Sequence, residues 1–357
     1  MAAYQGFAPG QRRADATARR SCVRAGPDRE FGHASADDAA RATVNLVPVD
    51  PSNRLMLLDS ASMYFRAFYG VPDTFTAPDG TVVNAVRGFL DMTARLVSTH
   101  RPRRLVACWD DDWRPAFRVA LLPSYKAHRV APATSPAANI EQTPDLLAPQ
   151  VPIIADLLKT LGIARVGSPG FEADDVIGTL AAADPGPVDV VSGDRDLIQV
   201  VDDSRGVRVL YIGRGLAKLE ALDQNAVTAK YGIPGRAYAD YAALRGDPSD
   251  GLPGVPGVGD KTAAGLIQRW GSIEALVAAV DSGDPALTQR PRLEAARDYL
   301  SVAAQVTRVR TDCPLGPFDA QLRPAPADPE GLLDLVDRWG VESSVNRLLA
   351  AVAAAVA

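Results

Sequence analysis

Val188-Asp189-Val190-Val191-Ser192-Gly193-Asp194-Arg195-Asp196 is an apolar run of strand length that breaks into two aspartates. A short continuous apolar run bounded by turn residues suits a strand covered on both faces. Two other stretches read the same way. Leu55-Met56-Leu57-Leu58 ends at Asp59, and residues 105–109 end in Asp110, Asp111 and Asp112. A shorter run over 163–166 leads through Gly167-Ser168-Pro169-Gly170 into a helix starting near Glu172. Between these strands the spacing predicts helices over 84–99 (Val86, Phe89, Leu90, Leu96, Val97 on one face) and 146–161 (Leu147, Val151, Ile154, Leu158, Leu161). Strands that alternate with helices imply right-handed crossovers and a mostly parallel sheet.

The rest of the chain divides by composition. Residues 1–50 are rich in Ala, Gly and Arg and lack a sustained hydrophobic period. Such a segment cannot offset its ordering entropy by burial, so it is expected to be a disordered extension or an artefact of start-codon choice. Residues 51–222 form the α/β part. From about Asp223 to 315 the pattern changes to short helices with Gly/Pro-rich turns, and 316–357 reads as C-terminal helices that pack back onto the body.

Composition narrows the function. Among 357 residues there are 38 Lys and Arg against 43 Asp and Glu, a net charge of −5, with 47% hydrophobic and 23% charged residues. That is ordinary for a soluble globular protein. The three cysteines (Cys22, Cys108, Cys313) are too few and too widely spaced for a disulfide framework or a paired zinc motif, and a reducing cytoplasm fits. The three histidines are scattered. No apolar run approaches the roughly 18 residues that span a bilayer, so no membrane partner is expected.

Ligands of open α/β sheets gather at the carboxyl ends of the strands. Asp59, then Asp110 and Asp111, then Asp194 and Asp196 should therefore converge at one edge. Glu172, Asp174 and Asp175 stand at a helix start beside them, and Asp247 and Asp250 follow the helical stretch 238–245. A single acid at a helix start gains about 0.3–1 kcal/mol from the dipole and needs no other explanation. A crowd of them does. Two carboxylates about 5 Å apart repel by about 3 kcal/mol at an effective dielectric of 20. Hard divalent cations with oxygen ligands relieve that repulsion, and so many carboxylates suit two metal ions of the Mg²⁺ or Mn²⁺ type, an arrangement used on phosphodiesters.

These residues resemble the 5′–3′ exonuclease and flap endonuclease family, which includes the N-terminal nuclease domain of bacterial DNA polymerase I. The likeness covers about residues 54–315. It rests on Leu58-Asp59 with Arg66 seven residues on, and on Phe117-Arg118 followed by Tyr125-Lys126-Ala127-His128-Arg129. Phe171-Glu172-Ala173-Asp174-Asp175 and Ser192-Gly193-Asp194-Arg195-Asp196 continue it. The last block runs from Gly246-Asp247 and Asp250 through Gly254, Gly257 and Gly259 to Lys261. The resemblance implies an α/β, PIN-like, mostly parallel sheet flanked by helices, with a helical arch and a helix–three-turn–helix DNA-binding module.

By the same resemblance the metal ligands are Asp59, a strand-end aspartate, Glu172, Asp174, Asp175, Asp194, Asp196, Asp247 and Asp250. The strand end points to Asp110, whereas counting back six residues from Phe117 gives Asp111. Lys126 and Arg129 would contact the scissile phosphate from the arch, with Arg66 close by. Arg118 would meet DNA and Tyr125 would stack on a base. Residues 254–262 almost spell a P-loop, but Asp260 separates Gly259 from Lys261 and no strand precedes. The segment reads instead as a hairpin whose backbone and helix N-terminus grip a duplex phosphate, with a K⁺ ion implied by the family.

The expected function is that of a structure-selective 5′ nuclease, both exonuclease and flap endonuclease, in replication and DNA repair. Its partners would be DNA flaps, nicks and duplex ends, and RNA–DNA hybrids. It is expected to act as a stand-alone monomer in the bacterial cytoplasm. Two other readings are a non-catalytic DNA-junction binder and a PIN-like RNA-processing nuclease.

Overall fold

A computed structural model describes residues 53–130 and 141–357. The expectation for residues 1–50 lies outside the described residues. Six strands form one sheet: β1 (Leu55–Asp59), β2 (Arg104–Cys108), β3 (Ala164–Val166), β4 (Val188–Ser192), β5 (Val207–Tyr211) and β6 (Glu220–Leu222). Their order is β3-β2-β1-β4-β5-β6. All neighbours are parallel except β5 and β6. The chain moves outward from β1 through β2 to β3, then returns to the other side of β1 with β4. The β1/β4 boundary is thus a topological switch point, where open α/β sheets hold their ligands.

Among the described residues thirteen α-helices surround it. The sheet half carries α1 (Ser60–Gly70), α2 (Asn84–His100), α3 (Ala116–Leu121), α4 (Gln150–Leu161) and α5 (Ala173–Ala183). The next stretch holds α6 (Gln224–Tyr231), α7 (Tyr238–Arg245), α8 (Asp260–Trp270), α9 (Ile273–Ser282), α10 (Arg290–Ala295) and α11 (Arg297–Thr307). The chain closes with α12 (Pro329–Trp339) and α13 (Glu342–Val356).

Two apolar cores cover the two faces, as a sheet of buried parallel strands requires. One joins Leu57, Val106 and Val190 to α5 and to Tyr238, Leu244, Leu266 and Leu300 of α7, α8 and α11. The helical stretch after 223 therefore shares its core with the sheet. The other joins Met56, Leu58 and Leu105 to Phe89 and Val97 of α2, Leu157 of α4, Val336 of α12, and Leu348 of α13.

Local chemistry sets the boundaries. Asp59 ends β1 and also caps α1, accepting the Ser62 N–H at 3.1 Å. Sequence spacing starts the fourth helix at 146, but α4 begins at Gln150. Pro149, which has no N–H to donate, stands at its N-cap, and Pro152 falls in the first turn, where a proline is tolerated. The buried Gln150 side chain turns away to accept the Ala85 N–H of α2 at 2.8 Å.

Candidate active site

Parallel pairing brings the carboxyl ends of β1, β2 and β4 to one edge. There Asp59, Asp110, Glu172, Asp174 and Asp194 line a cavity of about 210 Å³, opposite Lys126 and Arg129. Phe65, Trp113 and Glu141 are also part of the wall. Asp59 is fixed from two sides, since the Ser192 hydroxyl donates to Oδ2 at 2.5 Å across the β1/β4 boundary. Asp110 accepts the Ala173 N–H of α5 at 2.7 Å. Asp194 accepts the Asp196 N–H at 2.9 Å and remains solvent-accessible at the rim.

The electrostatics are those of crowded acids. Asp59 is pushed up to about 7 by burial, with Asp110 and Asp194 adding repulsion against the Ser192 and Ser62 hydrogen bonds. Burial raises Asp174 well above the carboxylate range, with Asp59 and Asp194 next in weight. Asp196, which is buried, and Asp194, whose carboxylate is crowded by neighbouring groups although the residue reaches solvent, are raised by desolvation and then by charges that include Asp250 and Asp247. Asp194 therefore stands between the cavity acids and the Asp247/Asp250 turn. Burial works against the Lys126 ammonium, but Glu172, Tyr125, Asp250 and Asp110 together outweigh it and hold Lys126 well above its ordinary value.

The donor set is oxygen only. Among the described residues no three His, Cys, Asp or Glu side chains are gathered tightly enough to enclose one ion. The cavity wall is a set of carboxylate oxygens facing the Lys126 and Arg129 side chains. Its chemistry fits hard divalent cations. The Asp196 Oδ1, buried and without a hydrogen-bond partner, points the same way.

The other sequence-predicted residues divide. Asp111 points away from the cavity, packs over Gly167 and lies 3.7 Å from Arg165. Asp110 is therefore the strand-end acid of the cavity. Asp175 is fully buried but saturated. It takes Arg118 through both oxygens at 2.6 and 2.7 Å and the Arg310 N–H at 2.8 Å, so it is a holding group and not part of the wall. Asp247 accepts the Ser249 N–H, and Asp250 pairs with Arg129 at 3.0 Å. Arg66 donates to the Gly213 carbonyl at 3.0 Å, beside the cavity and not in its wall.

Two DNA-contact expectations are corrected by burial. The Arg118 side chain is only 3% exposed and bonds Glu172 and Asp175. Tyr125 is buried with its hydroxyl on Glu172 Oε2 at 2.7 Å, so its ring is not placed to stack on a base. Gly254 is corrected too. It is buried at φ +67°, where a Cβ would stand 2.6 Å from the Arg245 backbone, so it serves close packing against Gly246. Gly257, Gly259 and Lys261 are exposed. Lys261 borders a second groove of about 630 Å³, lined also by Arg195, Arg214, Lys230, Arg245 and three tyrosines, with Glu220 paired to Arg214 and Lys230 and Asp260 to Arg245. Sequence reasoning missed Glu141, a lone acid in a Pro-rich stretch with no motif around it. It also missed the part played by Ser192, although that residue stands inside a quoted motif.

Comparison with known proteins follows the same geometry. A family model described as "5'-3' exonuclease, N-terminal resolvase-like domain" matches residues 54–232. A second, "5'-3' exonuclease, C-terminal SAM fold", matches 233–330. The chain is 57% identical over 296 residues to a 5'-3' exonuclease of Streptomyces coelicolor, covering 82% of this chain and 98% of that one. It is 54% identical over 306 residues to a 5'-3' exonuclease of Mycobacterium tuberculosis, covering 82% and 96%. Among solved structures, a bacteriophage T5 flap endonuclease in a pseudo-enzyme-product complex with DNA and metal ions matches with TM-score 0.53 at 14% identity, over 85% of this chain and 99% of that one. This last likeness is one of fold.

Proposed function

The chain belongs to the 5′–3′ exonuclease family, and from that membership we propose that it hydrolyses DNA as a structure-selective 5′ nuclease, exonuclease and flap endonuclease together. It would serve primer and Okazaki-fragment processing and DNA repair, acting on flaps, nicks, duplex ends and hybrids with an RNA 5′ strand. We place it in the bacterial cytoplasm as a monomer. Among the described residues no helix is long and apolar enough to cross a membrane. Residues 51–222 would be the catalytic part and 223–315 the duplex-binding part, with 316–357 bracing the body.

The observation that carries this reading is the cavity at the β1/β4 switch point, where six carboxylates, Glu141 among them, face Lys126 and Arg129. Asp59, Asp110, Glu172, Asp174 and Asp194 would hold two divalent cations, Mg²⁺ or Mn²⁺, with Asp196, Asp247 and Asp250 behind them. Such ions supply an activated water and charge neutralisation at the leaving oxygen. The chain's own residues do the rest. Asp110 and Asp59 are locked by hydrogen bonds from Ala173, Ser62 and Ser192, so the acids keep their places before substrate arrives. Lys126 and Arg129 bring positive charge to the cavity, where a scissile phosphate would develop negative charge. The basic groove beside Lys261 would track the duplex backbone without reading sequence. The backbone of the 254–261 hairpin would hold a K⁺ ion, which would supply positive charge for a duplex phosphate.

The test is an end-labelled 5′-flap duplex incubated with Mn²⁺, with Mg²⁺, or with chelator. Cleavage near the junction in both metals, none in chelator, and 5′-phosphate products are expected. Cleavage that survives chelation, or 5′-hydroxyl products, would reject the assignment.

The hairpin has its own test in Gly259→Asp. Gly259 caps α8 with φ −100°, and a Cβ there meets nothing within 4 Å. Aspartate fits the fold and is a better N-cap than glycine by a few tenths of a kcal/mol. Its charge would face the phosphate. Duplex affinity should drop by roughly tenfold and the salt slope by about one, with Mn²⁺ binding unchanged. Equal affinity for both proteins would discredit the hairpin contact.

A further inference from the structure

Arg118 is buried where three parts of the molecule meet. It sits on α3, at the foot of the segment carrying Lys126 and Arg129. Its Nε donates to the Val306 carbonyl at 2.9 Å, and Nη2 reaches the Arg308 carbonyl at 3.3 Å, both at the C-terminal end of α11. Nη1 donates to Glu172 Oε2 at 2.6 Å and to Asp175 Oδ2 at 2.7 Å, and Nη2 to Asp175 Oδ1 at 2.6 Å. All three nitrogens of one guanidinium are engaged. The α11 end is stitched to the site twice more. Arg310 N–H donates to Asp175, while Gln199 donates to the Thr307 carbonyl and to the Asp196 carbonyl.

Glu172 shows what this serves. Its Oε2 accepts both Arg118 and the Tyr125 hydroxyl, the latter at 2.7 Å. Its Oε1 is left for the cavity, where Lys126 meets it. A purely structural arginine would be satisfied by the Asp175 fork alone. Here one nitrogen is shared with a carboxylate of the cavity wall, which fixes which oxygen that carboxylate presents.

We propose that Arg118, with Tyr125, is a positioning residue: it turns Glu172 so that Oε1 faces the cavity, and it ties that orientation to the end of α11 in the duplex-binding helical part. The idea rests on the nuclease reading above. Duplex held by the helical part and cations held by the carboxylates then become linked, and each strengthens the other's binding by the same factor. The planar guanidinium is needed because an ammonium cannot bond two carboxylates and two carbonyls in one plane.

The experiment uses the full chain and three readouts on the wild type, Arg118→Lys and Tyr125→Phe. These are Mn²⁺ binding by electron paramagnetic resonance with and without an uncleavable flap duplex, affinity for that duplex, and the single-turnover rate at saturating flap. Arg118→Lys should weaken Mn²⁺ binding and slow the saturated rate by about 10–100-fold, the usual cost of losing a group that orients a ligand. It should leave duplex affinity in chelator within about threefold, and the flap should no longer tighten Mn²⁺ binding as it does in the wild type. If Arg118→Lys does not fold, Tyr125→Phe decides the orientation claim. It removes one oxygen, keeps the buried ring, and should weaken Mn²⁺ binding roughly tenfold. Wild-type Mn²⁺ binding in the folded variants would overturn the proposal. So would weaker duplex affinity with an unchanged saturated rate, which is the mark of direct phosphate contact. Wild-type protein that fails to cut the flap at all would instead overturn the nuclease reading.

Discussion

An Asp194→Ala protein is expected to lose flap cleavage by at least about a thousandfold while still binding the flap duplex. Asp194 is the carboxylate at which two groups of acids meet. Its charge raises Asp59 and Asp174 inside the cavity, and it is itself raised by Asp250 and Asp247 of the turn beyond. Deleting it removes a donor that both groups would share between two cations. The folded state should tolerate the change. The side chain is solvent-accessible and accepts one backbone N–H from Asp196. Against that lost hydrogen bond stands the relief of repulsion from its acidic neighbours, so in chelator the thermal midpoint should hold or rise. Function and stability therefore move in opposite directions, as they do where like charges are kept together for chemistry. Duplex affinity in chelator should hold or tighten, because one negative charge facing a polyanion has gone. Rapid-quench assays on labelled flap, with fluorescence anisotropy on the same substrate, measure both. Cleavage at the wild-type rate, or a protein that unfolds, would reject the assignment.

The sequence disclosed the strand-end acids because their placement follows from local pattern plus one topological rule. Parallel strands that each end in aspartate must bring those aspartates to one edge. Alternation explains why Asp110 and not Asp111 lines the cavity. The Trp109 N–H still pairs with the Val166 carbonyl, so the chain stays extended and successive side chains point oppositely. Asp110 then meets α5, and Asp111 meets Arg165. What stayed hidden is non-local. Arg118 and Tyr125 stand in a basic stretch that reads as a solvated DNA-facing surface. Their true partner, Glu172, lies 54 and 47 residues further on. Nothing in the spacing of a six-residue helix says that its arginine turns inward. The β5–β6 pair was equally silent, since β6 is a three-residue strand.

Lys126→Ala should slow the chemical step by roughly 10²–10³-fold, the usual cost of deleting one preorganised charge at a developing anion. Flap affinity should change much less. The residue is held in two ways. Its backbone N–H donates to the Asp250 carbonyl at 3.0 Å, and its φ of +47° lies in the left-handed region that side chains with a Cβ seldom enter. Alanine carries the same Cβ, so it meets the same backbone cost and the turn should persist. The variant thus isolates the ammonium. That ammonium sits on Glu172 Oε1, on the side facing the cavity, whereas Arg118 and Tyr125 hold Oε2 from behind. Removing it leaves Oε1 without its cationic partner next to Asp110 and Asp174. Two consequences separate. The acids become harder to keep together without cations, so thermal stability in chelator should fall, the reverse of Asp194→Ala. With saturating Mn²⁺ and flap, only the missing charge on the phosphate remains, and the single-turnover rate reports it alone. A saturated rate equal to wild type would mean that Lys126 serves the Glu172 pair and nothing more. A lowered rate that recovers fully with excess flap would move its role from the reacting phosphate to binding. A persistent loss at saturation with a lowered midpoint in chelator fits an ammonium that neutralises the acids before substrate arrives and the phosphate afterwards.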